Sequence, residues 1–425
     1  MLKSILKKII IRILKIEARL ILWRYKPKII AISGTVGKTT TKEAIYNVMA
    51  TEFSVRKSEK SYNSEIGVPL AIIGAPTGWN SVSAWGSVII KGLKVLAAAK
   101  DYPQWLIIET GVDRPGDMSN IVSWLKPDVA VVTAIGAVPV HVENFPDIHS
   151  LINEKAKLVQ SLSKDKYAIL NGDDKNVFDF RRRTRANIIT YGFSPHMDVA
   201  ASNYKISAEG VSFKVSYKGN IVPVRLSNIY GEHNVYAVLA ALAVGISQEL
   251  NFVKIAEAVS KLRPLPGRLA LLEGVKNTLI FDDTYNSSPI ALEAALEAVS
   301  QFPAKRKVAV LGDMLELGKF SADEHRRAGK LVFDKNIDLL LTVGTRSKLT
   351  AEEARMRGFN DDNISEFSNS EEAGAALLQK IKEGDLILVK GSQSLRMEKA
   401  VEKIMAKPEL KKELLARQEA EWQNR

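Results

Sequence analysis

The sequence predicts an α/β protein in two lobes: a mostly parallel sheet carrying a small antiparallel subsheet, then a second, Rossmann-like α/β lobe. Three observations predict it. From residue 28 onward, short apolar runs alternate with helical stretches, the pattern of strands buried on both faces. Residues 187–226 instead alternate in hydropathy around Lys218-Gly219-Asn220, a hairpin signal. The α/β alternation restarts after Arg263-Pro264-Leu265-Pro266-Gly267, a proline-rich junction that reads as a hinge.

The amino terminus comes first and stands apart. Residues 1–28 carry nine Lys or Arg against one acid, Glu17, so +8 of the chain's net +12 lies there. On a helical wheel Leu2, Ile5, Leu6, Ile9, Ile13, Ile16, Leu20 and Trp23 share one face, with Lys8, Arg12, Lys15 and Arg19 opposite. Charges recur too often for a membrane span or a secretory signal. Two readings stay open: a helix lying on an anionic membrane surface through residues 1–26, or a helix packed on the domain with its lysines solvated.

Strands follow at 28–33, 105–109, 129–134 and 167–171, with helices at 39–51, 148–161 and 234–247. Residues 66–90 lack charge, but Pro69, Pro76, Gly74 and Gly78 exclude a spanning helix. The Trp-containing stretch 79–105 suits either an inserted helical hairpin with core aromatics or an interfacial patch. Beyond the hinge, strands are expected at 278–282, 307–311, 339–343 and 386–389, and a charged surface helix from Pro408. The implied segments are 1–27, 28–263, 264–406 and 407–425.

Composition narrows the chemistry. At 425 residues the chain exceeds one ordinary core, and 46% hydrophobic with 25% charged residues is that of a folded protein. With no cysteine there is no disulfide, thiolate nucleophile or Cys-bound metal, and five histidines disfavour a His-rich metal site. Outside residues 1–28 the charge is nearly balanced, so no nucleic-acid partner is expected.

The strongest local signal is Gly34-Thr35-Val36-Gly37-Lys38-Thr39-Thr40 between a strand and a helix. Small residues let backbone N–H groups approach phosphate, the helix N-terminus adds partial positive charge, Lys38 reaches the outer phosphates, and a Thr hydroxyl can hold magnesium. The loop is a variant, because Ile32 stands where the usual pattern has Gly. In its strand–loop–helix context it reads as a phosphate-binding loop, which makes the first lobe a P-loop-type domain.

Further motifs follow in order: Tyr62-Asn63-Ser64-Glu65-Ile66-Gly67-Val68-Pro69, Ile108-Glu109-Thr110-Gly111, His141 with Glu143, Glu154-Lys155-Ala156-Lys157, and Gly231-Glu232-His233-Asn234. Across the hinge lie Pro266-Gly267-Arg268, Asp282-Asp283-Thr284-Tyr285-Asn286, Gly312-Asp313-Met314-Leu315-Glu316-Leu317-Gly318 and Lys390-Gly391-Ser392. Taken in order over about residues 28–405, the set resembles the Mur ligase family, nearest its dipeptide-adding type. The resemblance implies a cytoplasmic, monomeric, ATP- and magnesium-dependent ligase that joins a carboxylate on a cell-wall peptide precursor to an amino acid or dipeptide through an acyl phosphate.

It also implies roles. Lys38 would contact the β- and γ-phosphates, within a cradle of Gly34, Thr35, Gly37, Thr39 and Thr40. Thr39, Glu109, His141 and Lys155 would serve magnesium, Lys155 as a carbamate, although nearby Lys157 leaves the register open. Asn234 would face adenine, Arg268 and Asp283 would reach phosphate and ribose across the hinge, and Asn63, Tyr285 and Asn286 would approach substrate. Asp313 is left as a strand-end turn. The family's separate domain for the acceptor's nucleotide sugar has no counterpart before the phosphate loop, and the basic helix stands in that place. That departure leaves a lipid-linked acceptor, another acceptor such as folate or a poly-amino acid, and a membrane-bound ATPase switch as alternatives.

Overall fold

The computed structural model describes residues 2–59, 62–79, 81–98, 101–419 and 422, with side-chain environments from Lys7 onward. The side chains of Leu2, Ile5 and Leu6 therefore lie outside the described set. Strands β1 (Lys28–Ser33), β2 (Val55–Lys57), β3 (Trp105–Glu109), β4 (Val129–Val132), β5 (Tyr167–Asn171), β6 (Asn187–Gly192), β7 (Val199–Ser207), β8 (Gly210–Tyr217) and β9 (Asn220–Ser227) form one sheet. Its order is β2-β3-β1-β4-β5-β6-β7-β8-β9, parallel as far as β7 and antiparallel beyond. The antiparallel part is thus an extension of the parallel sheet. The first of its expected strands, β6, pairs parallel to β5 through Tyr167↔Asn187.

The hairpin turn is where the sequence places it: Lys218 and Gly219 both have positive φ, 46° and 81°, as a tight two-residue turn requires. The helix Glu232–Ser247 is apolar nearly all round, because it is sandwiched between this sheet and the helix Lys38–Met49. Val238, Leu239 and Leu242 are fully buried there, each worth about 1.5–3 kcal/mol of transfer free energy.

After residues 263–267 the chain enters the second sheet, of β10 (Ala270–Glu273), β11 (Leu279–Asp283), β12 (Lys307–Gly312), β13 (Leu339–Val343), β14 (Ile364–Phe367) and β15 (Leu386–Lys390), in the order β10-β11-β15-β12-β13-β14. Only β10 runs antiparallel. The parallel register sets Asp283 beside Lys390.

The expected surface helix from Pro408 is corrected. Two short turns, Pro408–Leu410 and Lys411–Leu414, lead into a buried Leu415, Ala416 and Arg417. Leu415 fills the apolar layer with Leu272, Ile280 and Met405, while Arg417 meets the buried Glu398 at 3.1 Å.

The first helix, Leu2–Tyr25, packs on helices Gly67–Ile73 and Val82–Ala98. The stripe it buries is Ile10, Leu14, Ala18 and Ile21, while Ile9, Ile16, Leu20 and Trp23 of the apolar face drawn from the sequence point outward. The 79–105 stretch forms the helix Val82–Ala98, with the half-buried Trp85 packed against the same cluster.

Candidate active site

The phosphate loop joins β1 to the helix Lys38–Met49. Gly34 and Gly37 adopt φ of 143° and 84°, and a Cβ on Gly34 would lie 2.0 Å from Thr133 Oγ1, so only glycine fits there. Lys38 Nζ folds back on its own loop, donating to the Gly34 carbonyl at 2.8 Å and the Thr35 carbonyl at 3.3 Å. Burial pushes the Lys38 pKa down, with Glu109 opposing and Arg268 adding to the shift. These carbonyls hold the ammonium where an anion would otherwise draw it.

Glu109 ends β3 beside the loop, because Ile32 and Glu109 are register partners. It is 1% exposed, and its carboxylate lies 3.2 Å from Lys42 Nζ and 3.4 Å from Thr39 Oγ1. Lys42 was missed by the sequence reading. It sits one helical turn after Lys38, and its burial at 1% exposure with a bond to the Ser58 carbonyl at 2.8 Å marks it as Glu109's fixed counter-charge.

Lys155 and Lys157 separate cleanly. Lys157 turns outward to Glu154 at 2.6 Å and Ser119 at 2.7 Å. Lys155 is 2% exposed, reaches the Gly34 carbonyl at 3.3 Å, and is pushed down to about 7 by burial and then by Lys38. A neutral amine is therefore accessible at ordinary pH, as carbamate formation requires.

The second lobe supplies the opposite wall. Arg268 Nη2 donates to Thr39 Oγ1 at 2.8 Å, so the two lobes meet at the phosphate loop, and its guanidinium lies 4.1 Å from the Tyr285 ring centroid. Asp283 Oδ2 accepts from Lys390 Nζ at 2.6 Å; Lys390, 1% exposed, also donates to the Asn286 carbonyl at 3.0 Å. Asp282 points the other way, accepting from the Gly267 and Thr284 backbone, with its pKa raised to about 6 by burial. It is the pin that ties the hinge to β11. Asp313 likewise caps Ser347 through its backbone N–H at 2.7 Å.

His141, with φ of 69°, bridges the lobes: Nδ1 meets Glu316 at 2.8 Å and Nε2 meets Asp113 at 3.4 Å. Its hydrogen bond holds the Glu316 carboxyl below its usual range. Both ring nitrogens thus face carboxylates, so His141 would reach a metal only by leaving Glu316 or Asp113. His233, beside Asn234, is pushed down to about 4 by burial and stays neutral.

Gly34, Thr35, Gly37, Lys38, Thr39, Thr40, Asn63, Glu109, His141, Lys155, Arg268, Asp283, Tyr285 and Asn286 all line one interlobe cleft of about 740 Å³. Asn234 does not. It donates to the Tyr230 carbonyl at 2.7 Å and lines a narrow adjoining crevice with Thr40, Arg263, Leu265 and Arg268. That crevice holds about 10 Å³, room for no more than a water molecule, so a purine would need the hinge side chains to shift. The cleft also includes Lys390, Arg396 and Trp422, which the sequence reading did not place in the site.

Among the described residues no three His, Cys, Asp or Glu side chains converge as a metal cluster. The oxygen donors of Thr39 and Glu109, 3.4 Å apart, nonetheless suit magnesium, which takes few protein ligands and completes its shell with phosphate and water.

A phosphate loop facing a second α/β lobe across a charged cleft, together with the family matches that follow, places the chain among ATP-dependent ligases. The Mur ligase middle domain matches residues 32–83 and 87–245, and the Mur ligase glutamate ligase domain matches residues 267–393. The chain belongs to the Mur ligase family. It is 27% identical over 385 residues to the UDP-N-acetylmuramoyl-tripeptide–D-alanyl-D-alanine ligase of Bacillus subtilis, covering 90% of this chain and 76% of that one. The Escherichia coli enzyme of the same name is 26% identical, over 88% and 76%. The structure of the MurF ligase of Thermotoga maritima in complex with ADP matches with a TM-score of 0.76 at 25% identity, over 93% of this chain and 83% of that one. Mycobacterium tuberculosis folylpolyglutamate synthase shares the fold at a TM-score of 0.64 and 17% identity, over 91% and 94%.

Proposed function

We propose that this ligase adds D-alanyl-D-alanine, or a closely similar dipeptide, to the peptide carboxylate of a cell-wall precursor in the cytoplasm. The observation that carries the reading is the Arg268–Thr39 contact, which sets the second lobe's cations and Asp283 against the same loop as Lys38. The names of the relatives above, matched over three quarters of their length, support the choice of substrates.

A carboxylate is a poor acyl electrophile. In the proposed reaction its oxygen attacks the γ-phosphorus of ATP, ADP leaves, and an acyl phosphate forms. The amine nitrogen then attacks the acyl carbon, phosphate departs with the carbon–oxygen bond, and the nitrogen loses its proton. Lys38 and Arg268 would offset the charge gathered at the transferring phosphoryl group. Thr39 and Glu109 would hold magnesium, with Lys155 joining as a carbamate, and the ion would supply Lewis-acid charge at the phosphates. Asp283 would offer its cleft-facing edge to the nucleotide, Asn63 would approach the acceptor, and Tyr285 and Asn286 the incoming amine. Asn234 would meet the base after local opening.

Mass spectrometry of products from candidate peptide acceptors mixed with candidate dipeptides tests this. An amide product with stoichiometric ADP and phosphate, formed only with both partners, is expected. Hydrolysis of ATP without either partner would refute ligation, and a glutamylated folate product would move the substrates to the other acceptor class.

A further inference from the structure

The first helix has two apolar stripes, and the fold consumes one. Ile10, Leu14, Ala18 and Ile21 are buried against helices Gly67–Ile73 and Val82–Ala98. At the helical repeat, the other stripe lies roughly 145° around the axis. Its members Ile9, Ile16, Leu20 and Trp23 are 49%, 51%, 46% and 76% exposed. The neighbouring helix Val82–Ala98 buries only Val88 and Gly92, leaving Val82, Ile90 and Leu93 outside. Seven of the thirteen exposed large hydrophobics among the described residues therefore sit on these two packed helices. Exposed apolar side chains normally scatter; here they cluster.

The charges around them select the occupant. Lys8, Arg12 and Arg19 are exposed and pair with no carboxylate among the described residues, and Lys91 and Lys94 extend the cationic rim on the second helix. The only acid in residues 1–28, Glu17, is turned inward and 4% exposed. A second copy of this chain would set like charge against like. An anionic headgroup layer over hydrocarbon answers both features, and a tryptophan at the rim suits that boundary. No described helix is long and apolar enough to cross a membrane, so the helix would lie along the surface.

We propose that the outer face of helices Leu2–Tyr25 and Val82–Ala98 is a docking surface for an anionic lipid bilayer, holding the ligase peripherally where a lipid-borne carboxylate acceptor would be presented. The docking surface stands whichever acceptor the cleft takes.

Co-sedimentation with vesicles of phosphatidylcholine, with and without about one third phosphatidylglycerol, tests it. The wild-type chain is expected to pellet with the anionic vesicles and stay in the supernatant with neutral ones. Lys8→Gln/Arg12→Gln/Arg19→Gln should weaken partitioning about a hundredfold, as three surface cations near anionic lipid would. Leu20→Ser/Trp23→Ser should also release the protein; all five positions face outward, so circular dichroism should be unchanged. Equal recovery in the supernatant with both vesicle types, or equal pelleting with both, would overturn the proposal. So would a lipid-free dimer by light scattering that Leu20→Ser/Trp23→Ser abolishes, since the face would then belong to a second copy.

Discussion

Replacing Asp283 with Asn separates an architectural contribution from a nucleotide-binding one. Lys390 is 1% exposed and donates to Asp283 at 2.6 Å, with the Asn286 carbonyl at 3.0 Å as its one further partner among the described residues. Asn preserves shape and still accepts a hydrogen bond, but it leaves the ammonium buried without a counter-charge. Removing one member of a buried pair costs about 3–5 kcal/mol. For a lobe of this size that lowers the melting temperature by about 10–20 °C. The double variant Asp283→Asn/Lys390→Met is expected to recover most of the stability, because neither charge is then desolvated. Its ATP requirement should stay raised, because neither group remains to meet the nucleotide. Denaturant midpoints at constant m-value and ATP-dependent turnover read the two effects separately. An Asp283→Asn protein that melts like wild type and keeps its ATP dependence would refute both halves of the reasoning.

Three other outcomes follow from the site and its surroundings. Lys38→Ala should lower turnover by about 100- to 1,000-fold or more with the fold retained, since it removes charge at the transferring phosphoryl group; single-turnover phosphate release checks it. Lys155→Ala should lose activity and regain part of it with acetate, while bicarbonate should stimulate the wild type increasingly above pH 7, because its amine is pushed down to about 7; absence of both effects would remove the carbamate. Glu17→Gln should stabilise the protein at about pH 8 and change little at about pH 4.5. Burial raises Glu17 from 4.5 to about 7, so the folded state holds the proton more tightly and native stability falls as pH rises across that window. Denaturant midpoints at the two pH values would show the difference, and a pH-independent gain would contradict it.

The parallel strands were legible because burial on both faces writes them as unbroken apolar runs. The phosphate loop was legible because glycine is required at Gly34 by a contact the sequence pattern encodes. Edge strands β2, β10 and β14 were not; they are three or four residues long and only partly buried. The first helix was legible only in part: the regular apolar face drawn from the sequence points outward, while the stripe that packing buries is interrupted by Glu17 and gives a weaker pattern. The Lys155/Lys157 ambiguity could not be resolved in one dimension, because both are lysines on one helix and only their partners differ. Lys42 and Arg417 carry no motif signal, and their roles arise from buried carboxylates that are distant in sequence.

A crystal structure with magnesium and a non-hydrolysable ATP analogue would decide whether both lobes serve one nucleotide. Lys38 on the outer phosphates with Arg268 and Asp283 touching the same molecule is the expected result. A nucleotide held by the first lobe alone, with Arg268 still bonded to Thr39 and Asp283 clear of it, would contradict it.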